Sequence, residues 1–235
     1  MINRCLRLSI VALALSLSSA YGQSNGDDYT FRSGDRSGIG KWYMGREIAH
    51  VMGYQGIGWL ERSEREKEEN TLKLIEYMDI RSADVIADIG SGSGYHVFKM
   101  APKAKQVFAV DIQQEMLTAI ENKMGQTGDD NITLIKGSEQ SVNLPGQSVD
   151  KVLMVDVYHE FSFPVEMIQS IKKALKPDGK IYLIEYRGED RSVPIKRLHK
   201  MTEAQAVKEM EAAGFKLAQN IPGLPWQHCM MFAKK

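Results

Sequence analysis

From Val85 to the C-terminus, short apolar runs alternate with stretches of helical period. Val85–Ile89, Val107–Asp111, Ile132–Ile135, Val152–Val155 and Ile181–Ile184 are each apolar almost throughout. Between most of them lie segments with a 3.6-residue repeat, such as Gln113–Met124 and Pro164–Leu175, the second opening on a proline suited to a first helical turn. Strands that are apolar on both faces and separated by helices predict a parallel sheet covered on both sides. A helix over Thr202–Ala213 stops at Gly214, and strand-like pieces follow at Phe215–Ala218 and Cys229–Ala233. Only Pro222, Gly223 and Pro225 punctuate the gap between these two, so they fit an antiparallel pair at the end of the sheet.

Upstream the pattern changes. Glu61–Met78 predicts one helix, with Glu61–Arg65 and Arg65–Glu69 spaced i,i+4 and Leu72, Ile75 and Met78 on one face. Trp42–Trp59 mixes aromatic and aliphatic residues with four glycines, Gly45, Gly53, Gly56 and Gly58, and reads as a short helix followed by a glycine-rich loop. Gln23–Gly40 is rich in Gly, Ser, Asp and Arg and reads as a flexible leader. Met1–Gly22 has Arg4 and Arg7 before a short apolar run, Leu8–Leu17, and then Ala20-Tyr21-Gly22. That is the layout of a signal peptide cleaved before Gln23, its run well short of the ~20 residues that span a bilayer. The expected organisation is therefore a signal peptide (1–22), a flexible leader (23–40), a helical, lid-like segment (41–80) and one α/β domain (81–235). The expected location is periplasmic or secreted, with no stable membrane span after cleavage; the alternative is an uncleaved leader acting as an anchor.

Composition adds exclusions. The 235 residues are 43% hydrophobic and 26% charged, the profile of a globular domain. Lys+Arg and Asp+Glu both count 30, so no basic surplus points to nucleic acid or an anionic membrane. Loss of Arg4 and Arg7 with the leader would leave a net charge of −2. Cys5 and Cys229 are too few for a disulfide scaffold, and the processed chain would keep Cys229 alone, on a strand-like run that suggests core. His50, His96, His199 and His228 show no metal-ligand spacing such as H-E-x-x-H and read as surface or packing residues, so no metal is expected.

The chemistry concentrates in Asp88-Ile89-Gly90-Ser91-Gly92-Ser93-Gly94, between the first strand and a helix starting near Tyr95. Glycines there admit close approach of a ligand, and a helix N-terminus favours an anion. Asp111 ends the second strand, where a carboxylate can accept hydrogen bonds from a ribose diol. Tyr95 stands where the dinucleotide fingerprint has its third glycine, and no Gly-Lys-Ser/Thr follows to make a P-loop.

The spacing Gly90, Gly92, Gly94 resembles the first motif of class I S-adenosylmethionine-dependent methyltransferases. Val107–Asp111 resembles the second motif, and Ile135–Glu139 the loop beside the adenine, with Ser138 where many members carry Asp. Ser148–Val157 resembles the fourth motif. Leu175-Lys176-Pro177-Asp178-Gly179 resembles the turn before the fifth strand, with Asp178 replacing a glycine. The similarity covers about two thirds of the chain and is nearest in flavour to small-molecule, ubiquinone-biosynthesis-type members.

That resemblance implies a Rossmann-like, seven-stranded, mostly parallel sheet with an antiparallel last strand, and S-adenosylmethionine as methyl donor. It assigns Gly90, Ser91, Gly92 and Gly94 to the methionine portion and Asp88 to the loop donors or the amino group. It further gives Asp111 to the ribose, Ile112, Ser138 and Glu139 to the adenine, and Asp156 to the donor site. On the acceptor side, His159 is the candidate proton acceptor, with Glu160 to orient it or meet a cationic substrate, and Tyr158 to stack on the acceptor or the sulfonium. The partner expected is a small-molecule acceptor. The competing readings are a non-catalytic nucleoside-binding protein on the same fold and a nicotinamide-dependent oxidoreductase. Glu185-Tyr186-Arg187 with Glu189-Asp190-Arg191 reads as a solvated charged loop, and Trp42–Arg46 with Gly53–Trp59 as a lid over the donor.

Overall fold

A computed structural model describes residues 28–235, so the expected signal peptide with Cys5, and the first residues of the expected leader, lie outside the described residues. The described chain opens with three antiparallel strands, β1 (Tyr29–Phe31), β2 (Gly38–Tyr43) and β3 (Arg46–Ala49). This corrects both the flexible leader, which within residues 28–40 is partly strand, and the short helix expected after Trp42. The decisive feature is Met44-Gly45, with φ of 50° and 95°, between the paired Tyr43 and Arg46. Two consecutive positive φ values make a two-residue hairpin turn whose twist matches the flanking strands.

After a short helix α1 (Ile57–Leu60), the helix expected over Glu61–Met78 is two pieces, α2 (Arg65–Glu69) and α3 (Thr71–Tyr77). Asn70 breaks it. Its backbone is left-handed, with φ 53°, a conformation asparagine tolerates better than most residues. Its side chain then accepts a hydrogen bond from the Lys73 N–H and caps α3. Of the two expected ion pairs, Arg65–Glu69 forms at 2.8 Å and is buried, whereas Glu61 reaches the Ser93 hydroxyl at 2.5 Å instead.

The main sheet follows: β4 (Val85–Ile89), β5 (Gln106–Asp111), β6 (Ile132–Lys136), β7 (Val149–Val155), β8 (Leu175–Tyr186), β9 (Phe215–Asn220) and β10 (Gln227–Lys234). Their order is β6-β5-β4-β7-β8-β10-β9. The first five in that order run parallel, and β10 pairs antiparallel with both β8 and β9. This is the seven-stranded, mostly parallel architecture the sequence pattern predicts. At the Leu175–Gly179 turn, Val149 pairs Leu175 while Lys151 pairs Lys180, so the intervening residues of β8 leave the ladder.

Helices cover both faces. The helices α6 (Pro164–Ala174) and α7 (Glu203–Ala212) pack Met167, Ile168, Ile171, Ala206 and Met210 against one side. On the other, α3, α4 (Val97–Met100) and α5 (Gln114–Thr127) bring Leu74, Ile75, Val97, Met100 and Ile120. Each such large apolar side chain contributes about 1.5–3 kcal/mol on burial. Cys229 faces this second core, where burial pushes its thiol up to about 12 and leaves it a packing residue. The carboxyl ends of β4, β5 and β7 stay uncovered by these helices, and there the chain forms its functional cleft.

Candidate active site

A cleft of about 1010 Å³ opens across those strand ends. Ile89, Gly90 and Gly92 after β4, Val110–Gln113 after β5, Gly137–Glu139 after β6 and Val155–Val157 after β7 line its floor. The glycine loop is wound tightly: the N–H groups of Gly90 and Ser91 both donate to Val110 O, at 2.8 and 3.1 Å. Gly90 has φ 70°, and a Cβ there would lie 2.4 Å from Val157 Cγ2. Gly90→Ala is therefore expected to cost about 1–3 kcal/mol through left-handed backbone and the displaced valine. Thermal unfolding together with donor calorimetry would check it; an unchanged melting temperature would mean the loop relaxes freely.

Asp111 is the anchor of this floor. Its Oδ2 accepts from the Gly92 N–H at 2.9 Å and its Oδ1 from the Gln113 N–H at 2.8 Å. Burial raises its carboxyl above the ordinary range, against these two backbone donors. The carboxylate thus holds the glycine loop and the start of α5 together while keeping free lone pairs toward the cleft.

Ser138, Glu139, Ile112 and Asp156 line the cleft with Gly90, Gly92 and Asp111. Asp88, Ser91 and Gly94 do not. Asp88 is 2% exposed and Ser91 is buried beneath the wall, and Asp88 Oδ2 and Ser91 Oγ have no hydrogen-bond partner among the described residues. Burial, with Asp111 adding to it and Arg65 opposing, pushes the Asp88 carboxyl up to about 7. Gly94 serves packing: a Cβ there would meet Phe98 at 2.9 Å and Ile120 at 3.0 Å. Asp156 sits in a left-handed turn, φ 50°, accepting from the Tyr186 N–H at 3.2 Å and from Gln227 Nε2 at 2.6 Å. Burial and then the nearby Glu69 and Glu185 carboxylates raise Asp156 well above its usual range.

The opposite wall is a short 3-10 turn, Tyr158–Glu160. It sends His159 and Glu160 into the cleft and Tyr158 away from it. The stacking role expected of Tyr158 is corrected: its ring is buried edge-on against Phe161, 5.5 Å away, with the Arg46 guanidinium 5.6 Å from its centre. His159 Nδ1 lies 2.6 Å from Glu185 Oε2, and the His159 N–H donates to Glu185 Oε1 at 3.2 Å. Burial alone would favour neutral imidazole; Glu185, supported by Glu160, outweighs it and holds His159 above its ordinary value. On the other side, His159 Nε2 is 3.2 Å from His199 Nδ1.

Sequence reasoning passed over several of these residues. Glu185 is not in a solvated loop but wholly buried on β8, because that strand runs on to Tyr186. His199 is not an isolated surface residue; it arrives from a loop forty positions beyond His159. Arg46, on β3, forks onto Glu209 of α7 at 2.8 and 2.9 Å and donates to His159 O at 3.0 Å. Of the expected lid, Trp42–Arg46 is the hairpin and stays off the cleft wall, while Trp59 and Leu60 line it. Gln113 clamps that cover, taking the Tyr54 N–H at 2.8 Å and donating to Met52 O at 2.9 Å. Arg62 and Arg65 also reach the cleft, next to Glu69.

The methyltransferase domain family model matches residues 87–183. The uncharacterized methyltransferase YdaC of Bacillus subtilis is 30% identical over 152 residues, which cover 63% of this chain and 81% of that protein. The chain belongs to the class I S-adenosylmethionine-dependent methyltransferases. A second Bacillus subtilis relative, the uncharacterized methyltransferase YcgJ, is 24% identical over 139 residues, and there the chain spans only 55% of the relative's length. The crystal structure of an S-adenosylmethionine-dependent methyltransferase from Aquifex aeolicus superposes with a TM-score of 0.72 at 21% identity, covering 77% of this chain and 98% of that one, and so shares its fold. The nicotinamide reading falls with this membership. The donor fits the methyltransferase's own residues: glycines where a side chain would fill the cradle, and an anchored carboxylate at Asp111. Arg62 and Arg65 line the cleft already paired with Glu68 and Glu69.

Proposed function

We propose that this methyltransferase works outside the cytosol on a small-molecule acceptor seated between the donor and the His159 wall. The observation that carries the reading is the single cleft with a nucleoside cradle on its floor and a buried, charge-supported histidine facing it. The site is deep and covered by Met52, Trp59 and Leu60, which suits a small acceptor of the kind handled by ubiquinone-biosynthesis-type enzymes better than a macromolecule. Export is supported by the layout of Met1–Gly22. Among the described residues, no helix is long and apolar enough to cross a membrane.

The reaction is an in-line displacement. S-adenosylmethionine, when bound, would supply its methyl group to the acceptor's lone pair and would leave as the neutral thioether S-adenosylhomocysteine. The donor supplies an activated methyl group, so the protein's work is placement and exclusion of water. Gly90, Gly92 and Asp111 would hold the donor; Ile112 and the Gly137–Glu139 loop would bound the nucleoside end; Glu160 would present negative charge to a sulfonium. Glu185 fixes the ring of His159, which orients the acceptor.

His159→Ala is expected to lower turnover about 100-fold or more, within the range of lost positioning and acid–base contributions, and to leave donor affinity within a few-fold. S-adenosylhomocysteine release over a panel of acceptors, with donor calorimetry on the same samples, reads both. Equal turnover in the folded variant removes His159 from the mechanism; donor binding without product on any acceptor favours the non-catalytic reading. Fractionation should find the chain processed near Gly22 and outside the cytosol, and a cytosolic chain still carrying Met1 overturns the export claim.

A further inference from the structure

We propose that His159, Glu160 and His199 form a binding site for one divalent cation of the zinc class on the acceptor wall of the cleft. All three side chains line the cleft. His159 Nε2 lies 3.2 Å from His199 Nδ1 and 3.9 Å from Glu160 Oε1, and His199 Nδ1 lies 3.5 Å from Glu160 Oε1. Three ligand atoms therefore already converge on one point. Ligands bound at 2.0–2.1 Å sit about 3.3–3.4 Å apart around a tetrahedral centre and about 2.9 Å apart around an octahedral one. Two edges of the observed triangle, 3.2 and 3.5 Å, lie either side of the larger spacing and the third, 3.9 Å, is longer; two imidazoles with one carboxylate are a zinc donor set.

The surroundings are built as a metal's outer shell is built. Glu185 Oε2, 2.6 Å from His159 Nδ1, places that ring's proton on Nδ1 and turns the Nε2 lone pair into the triangle. The His159 backbone is pinned on both sides, its N–H by Glu185 and its carbonyl by Arg46. Glu160 Oε1 takes the Met52 N–H at 3.1 Å, and among the described residues no lysine or arginine pairs with it. Two carboxylates, Glu160 and Glu185, thus bring negative charge to the cluster, which a dication would balance.

Three protein ligands leave a fourth position facing the cleft, the arrangement of catalytic rather than structural zinc. An acceptor hydroxyl or thiol bound there would surrender its proton to solvent and present its lone pair to the donor methyl. That role rests on the methyl-transfer reading above; the ion site itself does not.

The test uses the purified processed chain, stripped with chelator, titrated with Zn(II) by calorimetry and with Co(II) by visible absorbance. One equivalent of Zn(II) is expected, with the intense d–d bands of four-coordinate Co(II). His199→Ala, on a partly exposed side chain, should weaken Zn(II) roughly 100-fold or more; Glu185→Gln, which keeps the shape of the outer shell, should weaken it about 10–100-fold. His228→Ala, whose ring pairs with Glu189 away from the cluster, should bind as the parent does. Absence of stoichiometric uptake, or His199→Ala binding as tightly as the parent, overturns the ion site. Donor calorimetry on the same samples separates the two ideas: donor binding without zinc sinks the site and spares the methyltransferase reading, while His199-dependent zinc binding without donor binding does the reverse.

Discussion

Asp111→Ala should cost donor binding about 1.5–3 kcal/mol, a loss of roughly 10- to 150-fold in affinity. The magnitude follows from what the carboxylate does twice over. In the proposed donor pose it would accept from the ribose hydroxyls, and hydrogen bonds to an ionised acceptor are stronger than neutral ones. Toward the protein it takes the N–H groups of Gly92 and Gln113, so its removal strands two donors and loosens the loop that cradles the methionine portion. Asp111→Asn separates these contributions, since it keeps the side chain's size and one acceptor oxygen. Calorimetric titration with S-adenosylmethionine measures both variants. Native affinity in a folded Asp111→Ala protein would remove the ribose assignment.

The main sheet was legible because both of its faces are buried, which leaves an apolar run wherever a strand passes; Val85–Ile89 is such a run and is β4. The N-terminal sheet was not legible for the opposite reason. β1 and β2 are half-exposed strands in a polar segment, and the one local signal was Gly45 at a turn, which three further glycines, Gly53, Gly56 and Gly58, diluted. Asn70 hid in a good helical pattern because its left-handed backbone is a single-residue event. Gly90, Gly92 and Asp111, which line the cleft, were readable since each sits at or just past the end of an apolar strand. His159 and Glu160 were named from the sequence, but the partners of His159 were not, because Arg46, Glu185 and His199 come from three separate parts of the chain and meet only when β3 and the loop after β8 close over the turn at Tyr158–Glu160. No spacing within the sequence encodes that meeting. Tyr158 shows the complementary error: it neighbours His159 in sequence, yet a tight turn sends the two side chains in opposite directions.

The pair that closes this wall should also dominate the chain's stability. Arg46 and Glu209 join the N-terminal hairpin to α7, with side chains only 10% and 0% exposed. Burial works against the Arg46 charge, but Glu209 overcompensates and holds the guanidinium above its ordinary value. Glu209→Ala would leave that cation buried beside His159 O with Glu185 as its remaining acidic neighbour, and it would remove the acceptor of Gln205 Nε2 at 2.7 Å, leaving that amide only a long contact to Met44 O. The expected loss is about 3–5 kcal/mol. For a chain of this size that lowers the melting temperature by roughly 6–20 °C. Arg46→Met with Glu209→Leu should recover most of this stability, since it removes both charges instead of one. Turnover should stay low in the double variant, because nothing then pins the His159 carbonyl. Thermal unfolding and product release on the two variants give the answer together. A loss below about 1 kcal/mol in Glu209→Ala would mean that water reaches Arg46 and the pair behaves as a surface one. Full turnover in the double variant would mean that Glu185 alone holds His159 in place.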